Sequence, residues 1–189
     1  MTTRDDLRRQ MRIVRKGLAG SAAQAARALA GHVAALPVES VSGLVVTVYR
    51  AAGSEIDPAP LVAALRRRGA HIALPVVIAR ETPLTFRIWT EDEALLPDAA
   101  GIPAPPPEAQ DVRPGLFLAP LLAFDRRGGR LGQGGGYYDR TLRALRHSGP
   151  LIAVGLAFAA QEVAEVPMAP HDEPLDGVLT EDGYRARSS

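Results

Sequence analysis

Short apolar runs alternate with helical patterns along most of this chain, and that alternation restricts the fold more than any other feature. Leu44–Tyr49, His71–Val77, Leu84–Trp89, Leu116–Phe124 and Leu151–Ala157 read as strands, with Asp176–Thr180 as a last short one. Strands separated by helices favour a sheet with mainly parallel pairing, because parallel neighbours need a crossover connection. A length of 189 residues suits one domain that buries roughly 70% of its unfolded surface. The expected fold class is α/β: a single three-layer domain over residues 1–189, with a mainly parallel sheet flanked by helices.

The helices between the strands carry their own start and stop signals. Leu7, Met11, Val14 and Leu18 recur at helical spacing, while Arg4, Arg8, Arg12 and Arg15 form a second stripe. Thr3 is placed to cap this helix, and Asp5 and Asp6 suit the positive end of its dipole. A second helix is expected from Ser21, where Ser21 and Gln24 have capping-box spacing, to a point before Pro37. A third starts at Asp57–Pro58 and stops at Gly69, with Arg66, Arg67 and Arg68 as a solvated cationic end. A fourth runs from Tyr137 to His147. The proline-rich stretch 97–115 reads as a long extended connection and not as a domain boundary.

Composition excludes several kinds of chemistry. The chain has no cysteine, so disulfides, thiolate nucleophiles and cysteine-bound zinc are ruled out. Lys16 is the sole lysine, which leaves almost no candidate for a Schiff base or a P-loop lysine. His32, His71, His147 and His171 are scattered without metal-ligand spacing. A net charge of +1 speaks against a nucleic-acid or membrane-surface binder. The polar N-terminal run and the lack of a long apolar stretch make a cytoplasmic location the expectation.

The segment with the most chemical content is Asp125–Gly136, a polar, glycine-rich loop between an apolar strand and a helix. Gly132, Gly134, Gly135 and Gly136 surround Gln133, and a strand-to-helix junction is where backbone N–H groups gather around phosphate oxygens. Arg130 stands before the glycines, where a guanidinium pairs with phosphate. Asp139 stands just after them, where a carboxylate reaches Mg²⁺ beside those phosphates. Walker A would need a Lys-Ser/Thr ending, and a dinucleotide fingerprint would need glycine where Tyr137 stands. Neither fits.

Pro120 to Asp125 followed by Arg130 to Asp139 resembles the central motif of the 5-formyltetrahydrofolate cyclo-ligase family. Val154 to Phe158, Gln161, Pro167, His171–Asp172, Leu175–Asp176 and Val178 to Glu181 follow in the same order. Upstream, Arg4 to Arg8 with Arg15 is similar to the family's basic N-terminal helix, and Glu55 falls in its substrate loop. Arg4 replaces the lysine usual there, and Ala104 replaces a common glutamate. The resemblance implies ATP- and Mg²⁺-dependent closure of 5-formyltetrahydrofolate to 5,10-methenyltetrahydrofolate, releasing ADP and phosphate. It implies ATP contacts from Arg4, Arg8, Arg130, Leu131, Gly132, Gln133, Gly134, Gly135, Gly136, Tyr137 and Tyr138. Arg50 and Glu55, with Gln133 to Tyr137, would line the folate pocket. Asp139 and Asp172 would hold Mg²⁺, and Arg130 and Tyr137 would act in catalysis. A monomer is expected, with 5-formyltetrahydrofolate and ATP as its partners.

Bland readings stand beside these. Arg4 and Arg8 also fit a solvated helix face, Asp172 a turn cap, Tyr138 a core position, and Glu55 a turn residue. Phe86 and Trp89 fit the core better than a stack on the pterin. Two rival functions are an ATP-dependent kinase or ligase for another small molecule, and a non-catalytic nucleotide- or folate-binding regulator.

Overall fold

Alternate residues of the strand Leu116–Pro120 (β6) go to opposite faces of one sheet, and two helical layers answer them. Leu116 and Leu118 pack with Leu29 of α2 (Ala22–Gly31) and with Leu61 and Leu65 of α3 (Ala59–Arg67). Phe117 and Ala119 pack with Leu142 of α4 (Tyr137–Ser148) on the other face. Each fully buried leucine of this kind contributes about 2 kcal/mol by removal from water. This is the three-layer α/β arrangement expected. The structure is a computed structural model that describes residues 3–188; Met1, Thr2 and Ser189 lie outside, the first two belonging to the polar N-terminal run.

Among the described residues the central sheet has seven strands in the order β11-β10-β9-β6-β1-β2-β3. They are β1 (Val45–Thr47), β2 (His71–Val76), β3 (Thr85–Ile88), β6, β9 (Ile152–Leu156), β10 (Gly177–Thr180) and β11 (Gly183–Ala186). The five inner strands pair in parallel, and β3 and β11 run antiparallel at the edges. The chain steps outward from β1 to β2 and β3, then returns to β6 on the other side of β1. Loops leaving β1 and β6 therefore diverge, and such a reversal opens a crevice at the carboxyl ends of the strands.

Local chemistry accounts for the element ends. The helix α1 (Arg4–Gly17) begins with the expected Thr3 cap: Asp6 N donates to Thr3 Oγ1 at 3.1 Å, and Thr3 N returns to Asp6 Oδ2 at 3.3 Å. The expected Ser21–Gln24 capping box does not form. Tight turns over 15–21 leave Ser21 in a helical conformation, so its hydroxyl donates back to Leu18 O at 3.1 Å. Asp57 accepts from Ala59 N at 3.0 Å at the start of α3, and Gly69, at φ +84°, follows its end.

Four further expectations need correction. The run Leu116–Phe124 is two strands, since Pro120 cannot donate to a ladder and the chain turns after it. Ala123–Phe124 (β7) pairs antiparallel with Arg130–Leu131 (β8), so the segment 125–136 is a hairpin followed by a short glycine loop. Asp125, buried, shapes its turn by accepting from Arg127, Gly129 and Val166 N–H groups at 2.8 to 2.9 Å. The stretch 97–115 is not extended throughout: Leu96–Pro97 (β4) pairs with Pro103–Ala104 (β5) around a turn held by Asp98. Arg66 is not solvated; it lies 4.6 Å over the Trp89 ring and 2.6 Å from Glu91.

Candidate functional site

A cleft of about 730 Å³ opens where the switch in strand order predicts one. Its floor is Tyr49 after β1, Leu74 and Pro75 of β2, and Pro120 and Leu121 at the end of β6. Its walls are α1, the loop to Glu55, the β4–β5 hairpin, the glycine loop with the first turns of α4, and the segment at His171–Asp172.

The helix α1 reaches the cleft because its apolar side packs elsewhere. Leu7 and Met11 bury against Leu122, Ala123, Leu131 and Val166 beside the β7–β8 hairpin. That turns the arginine stripe toward the site. Arg4 Nη1 meets Asp172 Oδ2 at 2.5 Å, Arg8 Nε donates to Gly132 O at 3.0 Å, and Arg12 Nη2 donates to Gln133 Oε1 at 2.8 Å. The solvated-face reading of Arg4 and Arg8 is therefore wrong.

Arg130, fixed in β8, points into the cleft with its side chain 3% exposed. Its Nη2 donates to Asp139 Oδ1 at 2.7 Å, and its guanidinium lies 5.6 Å from the Tyr138 ring centre. Its Nε is buried with no partner, as is the Nε of Arg140. Buried donors in native proteins are seldom left unsatisfied. Two orphaned guanidinium nitrogens beside a glycine loop and a helix N-terminus describe a site built for an anion. Gly134 and Gly136 have φ of +107° and +66°, where side chains are strained; a Cβ at Gly136 would lie 2.7 Å from Arg140 Nη1.

The two carboxylates proposed for a cation both line the cleft. Asp139 Oδ1 accepts from Glu173 N at 3.2 Å, which ties the first turn of α4 to the residue after Asp172. Among the described residues no cluster of three potential metal ligands exists, so a cation here would share its sphere with ligand oxygens. No hydrogen bond among the described residues engages Asp139 Oδ2, and the donor set is all oxygen, which suits Mg²⁺. Asp172, with a side chain 3% exposed, accepts from Ala169 N at 2.7 Å and from Arg4. Burial alone would raise its pKa, but these two donors outweigh that and hold it below the usual range. A lowered folded value means the stability it contributes is present above about pH 4 and lost as pH falls through that value. Asp172→Asn should therefore lose less stability than wild type between about pH 5 and pH 3 in urea unfolding. Equal losses would show that the carboxylate is not paired in solution.

Every expected site residue lines the cleft except one. Arg4, Arg8, Arg50, Glu55, Arg130, Gly132, Gln133, Gly134, Gly135, Gly136, Tyr137, Tyr138, Asp139 and Asp172 all contribute. Leu131 does not: the strand pleat that turns Arg130 inward puts Leu131 into the core beneath α1. Tyr138 serves both readings, edge-on to Phe117 at 5.7 Å and on the cleft wall, where burial and then Glu55 push its pKa up. Phe86 is core, as expected. Sequence reasoning missed Arg140, which donates to Gly135 O at 2.8 Å and lies 5.2 Å from the Tyr137 ring centre. The signal was its place one residue after Asp139, on the same first turn. It also missed the hairpin residues Asp98, Ile102 and Pro103, for which the sequence carries no signal.

A mainly parallel sheet flanked by helices, with an arginine- and glycine-lined cleft at its switch point, defines this chain as an α/β protein. A family model described as the 5-formyltetrahydrofolate cyclo-ligase family matches residues 1–181, and the chain belongs to that family. It is 31% identical to the 5-formyltetrahydrofolate cyclo-ligase of Haemophilus influenzae over 93% of this chain and 96% of that protein. It is 35% identical to the enzyme of the same name from Mycolicibacterium smegmatis over 82% of this chain and 81% of that one. Among solved structures, the 5,10-methenyltetrahydrofolate synthetase of Aquifex aeolicus superposes with a TM-score of 0.80 at 26% identity, covering 98% of this chain and 93% of that one. The fold is also that of the synthetase from Mycoplasma pneumoniae, with a TM-score of 0.73 at 21% identity over 94% and 98% of the two chains.

Proposed function

We propose that this protein closes 5-formyltetrahydrofolate to 5,10-methenyltetrahydrofolate at the expense of ATP, releasing ADP and phosphate. Family membership across the chain supports the reaction, and the orphaned guanidinium donors of Arg130 and Arg140 beside the glycine loop carry the reading of the site. The formyl oxygen is a poor leaving group. Transfer of the γ-phosphoryl to that oxygen, with ADP departing, turns it into phosphate. N10 then bonds to the activated carbon and loses its proton, and the carbon–oxygen bond breaks to release inorganic phosphate.

Such a transfer needs positioning and charge neutralisation more than a covalent nucleophile, in keeping with a chain that has no cysteine. Arg4, Arg8, Arg130 and the backbone of Gly132 to Gly136 take the triphosphate in this reading. Arg130 steadies charge on the transferred group, and Tyr137, stacked under Arg140, faces the reacting end. Arg50 and Glu55 stand on the opposite wall, suited to the folate. Asp139 and Asp172 would hold Mg²⁺, which when bound neutralises phosphate charge. We place the activity in a cytoplasmic monomer without nucleic-acid or membrane partners, a reading that the near-zero net charge favours.

The decisive experiment mixes purified protein with 5-formyltetrahydrofolate, ATP and Mg²⁺ and follows the near-ultraviolet absorbance of the methenyl product. The expected result is a rise that requires ATP and stops on chelation. No product at high enzyme concentration, with ADP release also absent, overturns the proposal.

A further inference from the structure

The last turn of α1 carries a side chain that the proposed chemistry does not use. Arg15 is 5% exposed, and its guanidinium joins three segments. Nε donates to Ser54 Oγ at 3.0 Å, and Nη1 donates to Leu121 O at 3.3 Å and stands 3.8 Å from Glu55 Oε1. Ser54 and Glu55 belong to the loop that leaves β1, and Leu121 follows β6. These are the two chain segments that diverge at the switch point, and the guanidinium bridges them. Gln161, also buried, donates to the same Leu121 oxygen at 2.9 Å. Holding a cation there costs desolvation, and burial, ahead of any other influence, lowers its pKa. Anchoring α1 does not explain it, since Leu7, Met11 and the contacts of Arg4 and Arg8 already fix the helix.

We propose that Arg15 is a positioning residue: it holds Glu55 and its loop against the end of β6, keeping the substrate wall of the cleft in register with the phosphate wall. The proposal rests on the assignment of Glu55 to the folate side. One rigid helix of 14 residues would then serve both ligands, its first turns through Arg4 and Arg8 and its last turn through Arg15.

The groups facing Glu55 are few. Arg15 comes from α1, Tyr49 from the end of β1 and Tyr138 from α4, and Ala52 N donates to Glu55 Oε2 at 3.0 Å. Both tyrosines are held neutral by burial. Arg15 is thus the facing cation that favours the ionised carboxylate, against a burial effect that raises its pKa. Removing that cation must raise it further.

Arg15→Gln, Arg15→Lys, Glu55→Gln and the double variant Arg15→Gln/Glu55→Gln test this. Arg15→Gln should raise KM for 5-formyltetrahydrofolate by about 10-fold while KM for ATP stays within about two-fold, because the lost contact acts through one wall. Arg15→Lys, which keeps the charge but not the fork, should fall between wild type and Arg15→Gln. The double variant should be no worse than Glu55→Gln, as expected when one residue acts through the other. Carbon-13 NMR should show the Glu55 carboxyl titrating higher in Arg15→Gln and near wild type in Arg15→Lys. Equal rises in both KM values, or effects that multiply in the double variant, would make Arg15 a general scaffold residue and overturn the proposal. If Arg15→Gln does not fold, Arg15→Lys decides by the same split in KM. If wild type closes no 5-formyltetrahydrofolate, the function proposed above fails separately. The NMR titration still decides the Arg15–Glu55 contact, and an unmoved Glu55 overturns it.

Discussion

Gly134→Val should abolish ATP binding in a protein that still folds. Gly134 has φ of +107°, and the atoms nearest a Cβ there would be those of the Arg8 guanidinium, from 3.6 Å, an ordinary contact. The left-handed backbone costs a valine about 1–2 kcal/mol, which a domain of this size tolerates. The isopropyl group would occupy the space above the glycine N–H groups, where phosphate oxygens need close approach. We expect the ATP Kd to rise by at least about 100-fold, or about 2.7 kcal/mol, in calorimetry. Wild-type affinity in the folded variant would mean that the phosphate cradle lies elsewhere.

Arg130→Met should damage both stability and rate. The guanidinium is 3% exposed and satisfies Asp139 at 2.7 Å, so its loss leaves a carboxylate unpaired in the cleft wall. Removing one partner of a buried pair costs about 3 kcal/mol where the survivor retains some solvent contact, as Asp139 does at 17% exposure. An arginine that steadies a transferred phosphoryl group contributes about 10³-fold or more to kcat. We expect a loss of about that size at saturating ATP and 5-formyltetrahydrofolate. Arg130→Lys should recover part of the stability, since it keeps the charge, but little of the rate, since a compact ammonium lacks the planar fork that holds Asp139 on one side and presents Nε on another. Wild-type unfolding in urea and turnover within about ten-fold for Arg130→Met would remove Arg130 from the mechanism.

Much of the site was legible because its chemistry is local in the chain. Arg130, Gly132 to Gly136, Tyr137 and Asp139 fall within ten consecutive residues, and a strand, a glycine loop and a helix start must follow one another there. The hairpin 123–131 was less legible. Pro120 signalled the end of a ladder, but only the partner strand shows that Ala123–Phe124 begins a new one. The edge strand β11 was missed although Glu181 and Asp182 form the two-residue turn before it and Gly183, its first residue, has φ of +122°. The pair β4–β5 is two residues long on each side and depends on Asp98, so no periodicity could reveal it.

The sequence by itself determined the four helices, most strands of the central sheet, the α/β class and the glycine-rich loop, because hydrophobic period, caps and glycines act over a few neighbouring residues. What it could not determine was which arginines are buried and against what. Arg4 meets Asp172 across 168 positions, Arg15 meets Leu121 across 106, and Leu131 turns inward while Arg130 faces the cleft. Those outcomes follow from the reversal of strand order at β1 and β6 and from the packing of Leu7 and Met11 beneath α1. Both are set by contacts between distant segments, where close packing selects one side-chain arrangement from many that local preference allows equally.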